Sequence, residues 1–482
     1  MTRQTALFVA IALAIVHLAL ACVYASITPY RTSGLLLGQR DPATGQYQQI
    51  HDIGAPDERQ HANYVKHLLD GSGFPVLDPA DPNLGENYQA HQPPLFYILH
   101  AGWSKVTGAN LDSPDNGLKV RLLNGLIGAV TVAGTFFLGL WAFRRDDVGL
   151  VAAAFVALLP MNAALSGALS NDPLLYCLCT WALAFQAKGC VEGWCYGIAL
   201  RIGLLCGFAI LTKTTAVALF PILILALFIG PNKPTAKQVA VCAGLIVLIS
   251  APWLARNQSL YGDPFAISAF NEAFKNSPSR ELITQVASVQ NVGKDPNLAY
   301  WTDWVGWWTA RSFFGAFGYM DIFLNERGVP STGPTNPNAL YRMLLALSVV
   351  VIALWVFALR KPEWKEHKRM HYFLGSFLLI VVLLFLRFNA QYFQGQARYL
   401  FPAISVFGVG VAIAILNLSK ARWQVALAVV VILLGALNAY ALTRLPGEFK
   451  RRAFATAWDD QTQLDPTNVL ISNGRKHARV KG

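Results

Sequence analysis

Long apolar runs, parted by short basic links and two long polar segments, make up most of this chain. Runs of roughly 17–25 apolar residues can cross a hydrocarbon layer as helices. Such runs lie near residues 6–26, 119–143, 148–168, 173–188, 197–213, 214–230, 239–256, 342–360, 371–387, 399–418 and 422–443. The pattern predicts an all-α polytopic membrane protein with about 11 transmembrane helices. The short pair meeting at Lys213 is the least secure in length. The first run outlasts the ~7–15-residue core of a secretory signal and no small-x-small cleavage site follows it, so it reads as a retained span.

Composition agrees with the pattern. Hydrophobic residues are 54% of the 482 and charged residues 14%, against about a quarter charged in soluble domains. The net charge of +12 could suit nucleic acid, but its distribution points to a membrane and to no nucleic-acid partner. Lys and Arg gather in alternate links: Arg144-Arg145, Lys188, Lys233 and Lys237, the cluster from Arg360 to Arg369, and Lys420 with Arg422. By the positive-inside rule these links face the cytoplasm. The polar segments 27–118 and 257–341 then face outward. The tail at 444–482 is also basic (Lys450, Arg451, Arg452, Arg475, Lys476, Arg479, Lys481) yet falls outside in this scheme, and so conflicts with it. Seven cysteines, mostly within apolar runs, have the character of small buried hydrophobes and lack zinc spacing.

Candidate chemistry sits in the outer segments and at the span ends beside them. Asp57 and Glu58 are adjacent carboxylates soon after the first span, with His61 one turn on. Asp57 could equally cap the helix that follows. His91-Gln92-Pro93-Pro94 leads into an apolar stretch, Pro94–Val106, too short to span and read as re-entrant or interfacial. Asn171 and Asp172 precede a proline, a pattern that capping alone would explain. Lys213, Arg256 and Arg398 stand at span ends, where snorkelling is the plain alternative. The Trp301–Phe314 stretch, rich in Trp, suits a helix lying in the interface. A carboxylate at this face can take a proton from an attacking hydroxyl, and cations can stabilise a departing phosphate. No Gly-rich nucleotide-binding motif is present in a strand–helix setting, so a soluble nucleotide donor is unsupported.

The segments Pro56-Asp57-Glu58-x-x-His61-x-x-Tyr64, His91-Gln-Pro-Pro-Leu-Phe-Tyr97, Ser170-Asn-Asp172-Pro, Leu211-Thr-Lys213, Arg256-Asn257 with Tyr261-Gly-Asp-Pro264, and Arg398-Tyr399-Leu-Phe-Pro402 together resemble the GT-C glycosyltransferases. The branch in question holds the protein O-mannosyltransferases and the lipid A aminoarabinose transferases. The resemblance implies a GT-C catalytic domain over 1–443 with interfacial helices in both outer loops. It also implies inverting transfer of a hexosyl or pentosyl group from a polyprenyl-phosphate donor to a lipid, glycan or protein acceptor. The site would face the periplasm or exterior of a bacterial plasma membrane. The resemblance implies that the first acid of the outer-loop pair is the base or orients the acceptor; carried over, that residue is Asp57, with Glu58 the second catalytic candidate. Arg398, Arg256, Lys213 and Tyr399 are the candidates for the donor phosphate, and His61, His91, Gln92, Asn171 and Asp172 for the acceptor or sugar. No cofactor is required by the resemblance; if Mg²⁺ or Mn²⁺ assists, Asp57 and Glu58 would hold it.

One departure matters. Where the aminoarabinose transferases place an acidic–basic–Pro triplet, this chain has His91, Gln92 and Pro93. The lysine expected at the phosphate is absent, which moves that role to Arg398, Arg256 or Lys213. The lack of a large soluble outer domain tilts the acceptor toward a lipid-linked or cell-envelope glycan. Competing readings are a polymerase or ligase of lipid-linked glycans, a polyprenyl-lipid flippase or other transporter, and a membrane scaffold without activity. A transporter should carry its charges near the midplane on broken helices, often in repeats; here they crowd one face.

Overall fold

Every one of the eleven apolar runs is helical in the computed structural model, which describes residues 2–40, 47–230, 232–275, 277, 279–290, 293–325, 338–420, 422–462, 469–472 and 475–478. Among these, eight helices are long and apolar enough to cross a membrane: Arg3–Ile27, Pro114–Phe143, Asp172–Glu192, Ala236–Tyr261, Ala339–Ala358, Lys368–Asn389, Ala397–Leu418 and Trp423–Ala453. The expected 148–168 span is present but broken, as Asp146–Leu158 and Pro160–Ser166 meeting at 65°. Pro160 lacks an N–H and crowds the residue before it, so Leu159 leaves the helical region at ψ 114°. The two remaining runs form the shorter helices Tyr196–Ile210 and Leu219–Ile229. Fifteen residues rise about 22 Å, less than the ~30 Å of a hydrocarbon core. The turn joining them, Leu211–Lys213, is covered by the first long link, whose Leu95 N–H donates to the Leu211 carbonyl at 2.9 Å.

The Gly117–Phe143 helix is the hub against which Arg3–Ile27, Asp146–Leu158 and Asp172–Glu192 pack. Close approach is possible because a Cβ on Gly139 would meet the Gly149 backbone at 2.6 Å; small residues let helices touch where lipid gives no hydrophobic drive. The basic links collect on one face: Arg145 lies over the Trp364 ring at 4.6 Å, and Arg144 donates to the Val191 carbonyl. The long links occupy the opposite face. Leu95–Thr107 is a helix there, exposing Ile98, Leu99 and Val106. The Trp-rich stretch departs from expectation. Trp307 and Trp308 are buried rather than laid at the surface, and with Phe323 they surround the Arg311 guanidinium, which rests 4.0 Å from the Phe323 ring centroid. Cation–π attraction is stronger once desolvated, which favours this inward turn.

The last helix does not stop near residue 443 but runs on to Thr462. Leu445, Phe449 and Arg452 are buried, and Arg452 Nε reaches Asp321 Oδ2 at 3.0 Å on the long-link face. Its charge is thus a structural partner, which resolves for this residue the conflict with the positive-inside pattern. Arg479 and Lys481 of the basic tail lie outside the described residues.

One ion pair ties the long-link face to the spans. Arg121 and Glu58 are both fully buried, with contacts of 2.7 Å (Nε–Oε1) and 2.5 Å (Nη2–Oε2). Arg121 also donates to the carbonyls of Ala25 (2.8 Å), Thr28 (2.7 Å) and Pro29 (2.8 Å), so all five guanidinium N–H groups are used. Leu169 N–H donates to Glu58 Oε1 at 2.7 Å. Four separate stretches of chain meet there.

Two outcomes are expected. Arg121→Met strands the Glu58 charge and should cost about 3–5 kcal/mol, read as an earlier denaturation midpoint; adding Glu58→Leu should recover much of the loss. Unchanged stability in Arg121→Met would show the pair to be idle. On a Cys-less background, an impermeant thiol probe from outside should react at Asn83→Cys and not at Lys365→Cys, the reverse pattern inverting the topology.

Candidate active site

Asp57 stands immediately before the Glu58–Leu69 helix, the position at which aspartates cap. It makes no cap bond, and it adopts φ 61°, ψ 2°. A left-handed non-glycine residue costs on the order of 1 kcal/mol. That conformation aims the carboxylate away from its helix. Oδ1 accepts from the Tyr88 hydroxyl at 2.6 Å and Oδ2 from Arg398 Nη2 at 2.9 Å. Burial alone would raise the Asp57 carboxyl, but the Arg398 charge and the Tyr88 hydrogen bond outweigh it and hold the group below the ordinary carboxylate range.

The cluster continues into the spans. Arg398, on the turn Ala397–Ala403 that opens its span, places Nη1 3.8 Å from Asp172 Oδ2. Asp172 Oδ1 accepts from Lys213 Nζ at 2.5 Å. Asp172 begins its helix without any capping bond at Asn171, so its carboxylate is directed to cations rather than to backbone. Both cations flank the Tyr399 ring, Arg398 at 5.1 Å and Lys213 at 5.6 Å from the centroid. Two carboxylates and two cations cancel formally, and Arg398 Nε is buried with no partner among the described residues.

Neutral imidazoles border the cluster. Burial pushes His61 down to about 3, and its Nδ1 lies 2.9 Å from the Tyr97 hydroxyl. Burial likewise lowers His91 to about 4. His91 Nδ1 donates to the Tyr88 carbonyl at 2.7 Å, leaving Nε2 to accept from Gln92 Nε2 at 3.0 Å. Gln92 Oε1 in turn accepts from Asn171 at 3.3 Å.

The structure therefore gathers Asp57, Asp172, Lys213, Arg398 and Tyr399, with His61, His91, Gln92 and Asn171 around them. Two expected members stand apart. Glu58 is spent on Arg121, so the adjacent acids do not act as a pair, and they do not offer a metal ion converging oxygens; among the described residues no group of three or more His, Cys, Asp or Glu is placed to hold one. Arg256 gives its donors to the carbonyls of Phe74 (3.1 Å) and Pro75 (2.7 Å) and stacks on Trp253, fastening the first long link to its span. Sequence reasoning missed Tyr88 and Tyr319. Tyr319 sits in the turn between the paired strands Ala316–Phe317 and Ile322–Phe323, flanked by Gly318 and Met320 at φ 62°. Its hydroxyl lies close to that of Tyr88. The one signal for it was a Gly-Tyr turn directly after the Trp-rich helix.

Among solved structures, the one with a TM-score above 0.5 has the same architecture. The Archaeoglobus fulgidus oligosaccharyltransferase, tethered to an acceptor peptide, aligns over 92% of this chain at 14% identity with a TM-score of 0.53, and this chain spans 55% of that protein's length. ArnT from Cupriavidus metallidurans bound to undecaprenyl phosphate aligns over 90% of this chain and 64% of its own, at 16% identity and a TM-score of 0.44. The S. cerevisiae Pmt1–Pmt2 complex bound to its sugar donor aligns over 58% and 35%, at 16% identity and 0.36. No curated protein matches the chain. Residues 88–407 match the family described as predicted membrane protein DUF2142. An integral membrane protein of the GT-C fold, the chain belongs to the DUF2142 family.

Proposed function

We propose that this chain is an inverting glycosyltransferase that moves a sugar from a polyprenyl-phosphate donor to a hydroxyl of a lipid-linked or cell-envelope glycan. The observation that carries the reading is Asp57, a strained, ionised carboxylate held against Arg398 in a cluster that also contains Lys213. Asp57 takes the proton of the acceptor hydroxyl as its oxygen bonds to the anomeric carbon. The bond from that carbon to the phosphate oxygen breaks on the opposite side, and the electron pair leaves with the phosphate. Arg398 and Lys213 stabilise the growing charge. Because the cluster is formally neutral at rest, an arriving phosphate draws Arg398 from Asp57 and frees the carboxylate for the acceptor. Tyr399, His61, His91, Gln92, Asn171 and Asp172 shape the surrounding donor and acceptor contacts.

A hydrocarbon-lined cavity supports a lipid-linked donor. It has a volume of about 750 Å³, and its walls include Phe313, Leu344, Trp355, Leu378, Leu400 and Phe407. Leu400, two residues beyond Arg398 on the same turn, lines it. The proposed setting is a bacterial plasma membrane with the cluster facing the periplasm.

The carboxylate is tested by Asp57→Asn, which keeps the shape and removes the base; turnover of a polyprenyl-phosphate sugar in proteoliposomes should fall ~10²–10⁴-fold with donor binding retained. Wild-type turnover in that variant would overturn the proposal. The phosphate contact is tested separately. Arg398→Lys keeps charge but loses the planar fork, and turnover should drop at least about tenfold, roughly 1.4 kcal/mol of transition-state stabilisation. Full activity would reduce Arg398 to an anchor.

A further inference from the structure

A second polar hollow of about 330 Å³ lies across Tyr319 from Asp57, walled by Gln49, Asp52, Arg59, Gln60, Asn83 and Tyr319. Tyr319 belongs to both places, since it lines the hollow and its hydroxyl meets the Tyr88 hydroxyl that donates to Asp57. The size is at the lower end of the ~300–1,000 Å³ typical of small-ligand sites.

Asp52 marks the hollow as more than a surface crease. It is 4% exposed, Oδ1 accepts only the Thr32 N–H at 3.2 Å, and Oδ2 has no partner among the described residues. Glu58, in the same wall, is fully engaged by Arg121 and Leu169. A buried carboxylate oxygen without a donor is costly. Burial first, then the Glu58 charge, pushes the Asp52 carboxyl up to about 7. A donor supplied by a bound molecule would remove that cost.

The walls specify the chemistry of such a molecule. Arg59 is already paired with Glu86 at 2.7 Å, so an anion finds no free guanidinium. The rest of the lining is mainly polar, with the His51 imidazole, the Asn83 amide, the Asp52 carboxylate and the Tyr319 ring, and Ile50 and Pro82 give a hydrocarbon little to bury against. Clustered hydroxyls, each able to donate and accept, match it. We infer that this hollow receives a neutral sugar ring of the acceptor, with a ring hydroxyl donating to the Asp52 carboxylate and Tyr319 standing between that ring and the reacting centre. The name acceptor rests on the proposed function; the binding of a sugar ring does not.

The test uses the full chain in lipid nanodiscs and saturation-transfer NMR with the methyl α-pyranosides of mannose, glucose and galactose. At least one should receive saturation from the protein. Asp52→Leu should weaken the effect at least about tenfold, as expected when a charged hydrogen bond is lost. Asn83→Trp, an exposed rim position that fills the mouth without touching the core, should do the same and covers the case in which Asp52→Leu misfolds. Saturation transfer to none of the three, or transfer undiminished in both variants, overturns the inference. Sugar binding that depends on Asp52 in a chain without transferase turnover would uphold the hollow and sink the proposed function. Turnover whose acceptor KM is unmoved by Asn83→Trp would do the opposite.

Discussion

A guanidinium shut away from water must find acceptors for five N–H groups, and the place where Arg121 finds them decides where this protein can do chemistry. Its partners are the Glu58 carboxylate and three carbonyls at the end of the first span. Glu58 then takes the Leu169 N–H, just before Asn171 and Asp172. The knot's worth is positional. A well-packed apolar pair of similar volume would often be as stable or more so, but it would fix neither the turn at Asp57 nor the start of the Asp172–Glu192 helix. Because both neighbours are pinned, Asp57 can be held in a strained backbone conformation and its carboxylate aimed at Arg398, which lies 341 residues away in sequence.

The same knot explains what could be read from the chain and what could not. The apolar runs were legible because span length is a property of consecutive residues. The break at Pro160 carried a local mark as well, since proline excludes the preceding residue from the helix. Asp57 and Glu58 looked like one acidic pair because nothing adjacent distinguishes them. What separates them is a left-handed residue followed by a helix start, plus an arginine 63 positions on inside an apolar run. In sequence Arg256 and Arg398 were both cations at span ends, with Arg398 the better placed after its short polar loop. Their partners, the Phe74 and Pro75 carbonyls for one and two carboxylates for the other, are set by how the long links fold back. Asp172 before Pro173 had the outline of a cap, and only the opposing Lys213 shows why its side chain leaves the backbone.

Charge balance completes the argument about the cluster. Asp57, Asp172, Lys213 and Arg398 sum to zero, which suits a poorly hydrated place where a net charge would be expensive. Such a quartet has no net field for a phosphate, so a phosphate gains most by taking over a contact that a carboxylate now holds. The two acids differ in how firmly they are held. Asp172 meets Lys213 at 2.5 Å and is 3.8 Å from Arg398, while Asp57 accepts from Arg398 at 2.9 Å and from the Tyr88 hydroxyl at 2.6 Å. Exchange therefore falls more easily on Asp57, whose other partner is a neutral hydroxyl. Arg398 also keeps Nε without a partner among the described residues, a donor that the resting contacts leave idle and an incoming oxygen could use. In the proposed reaction, phosphate binding and release of the base are thus one event. That coupling would keep Asp57 occupied until a donor is present.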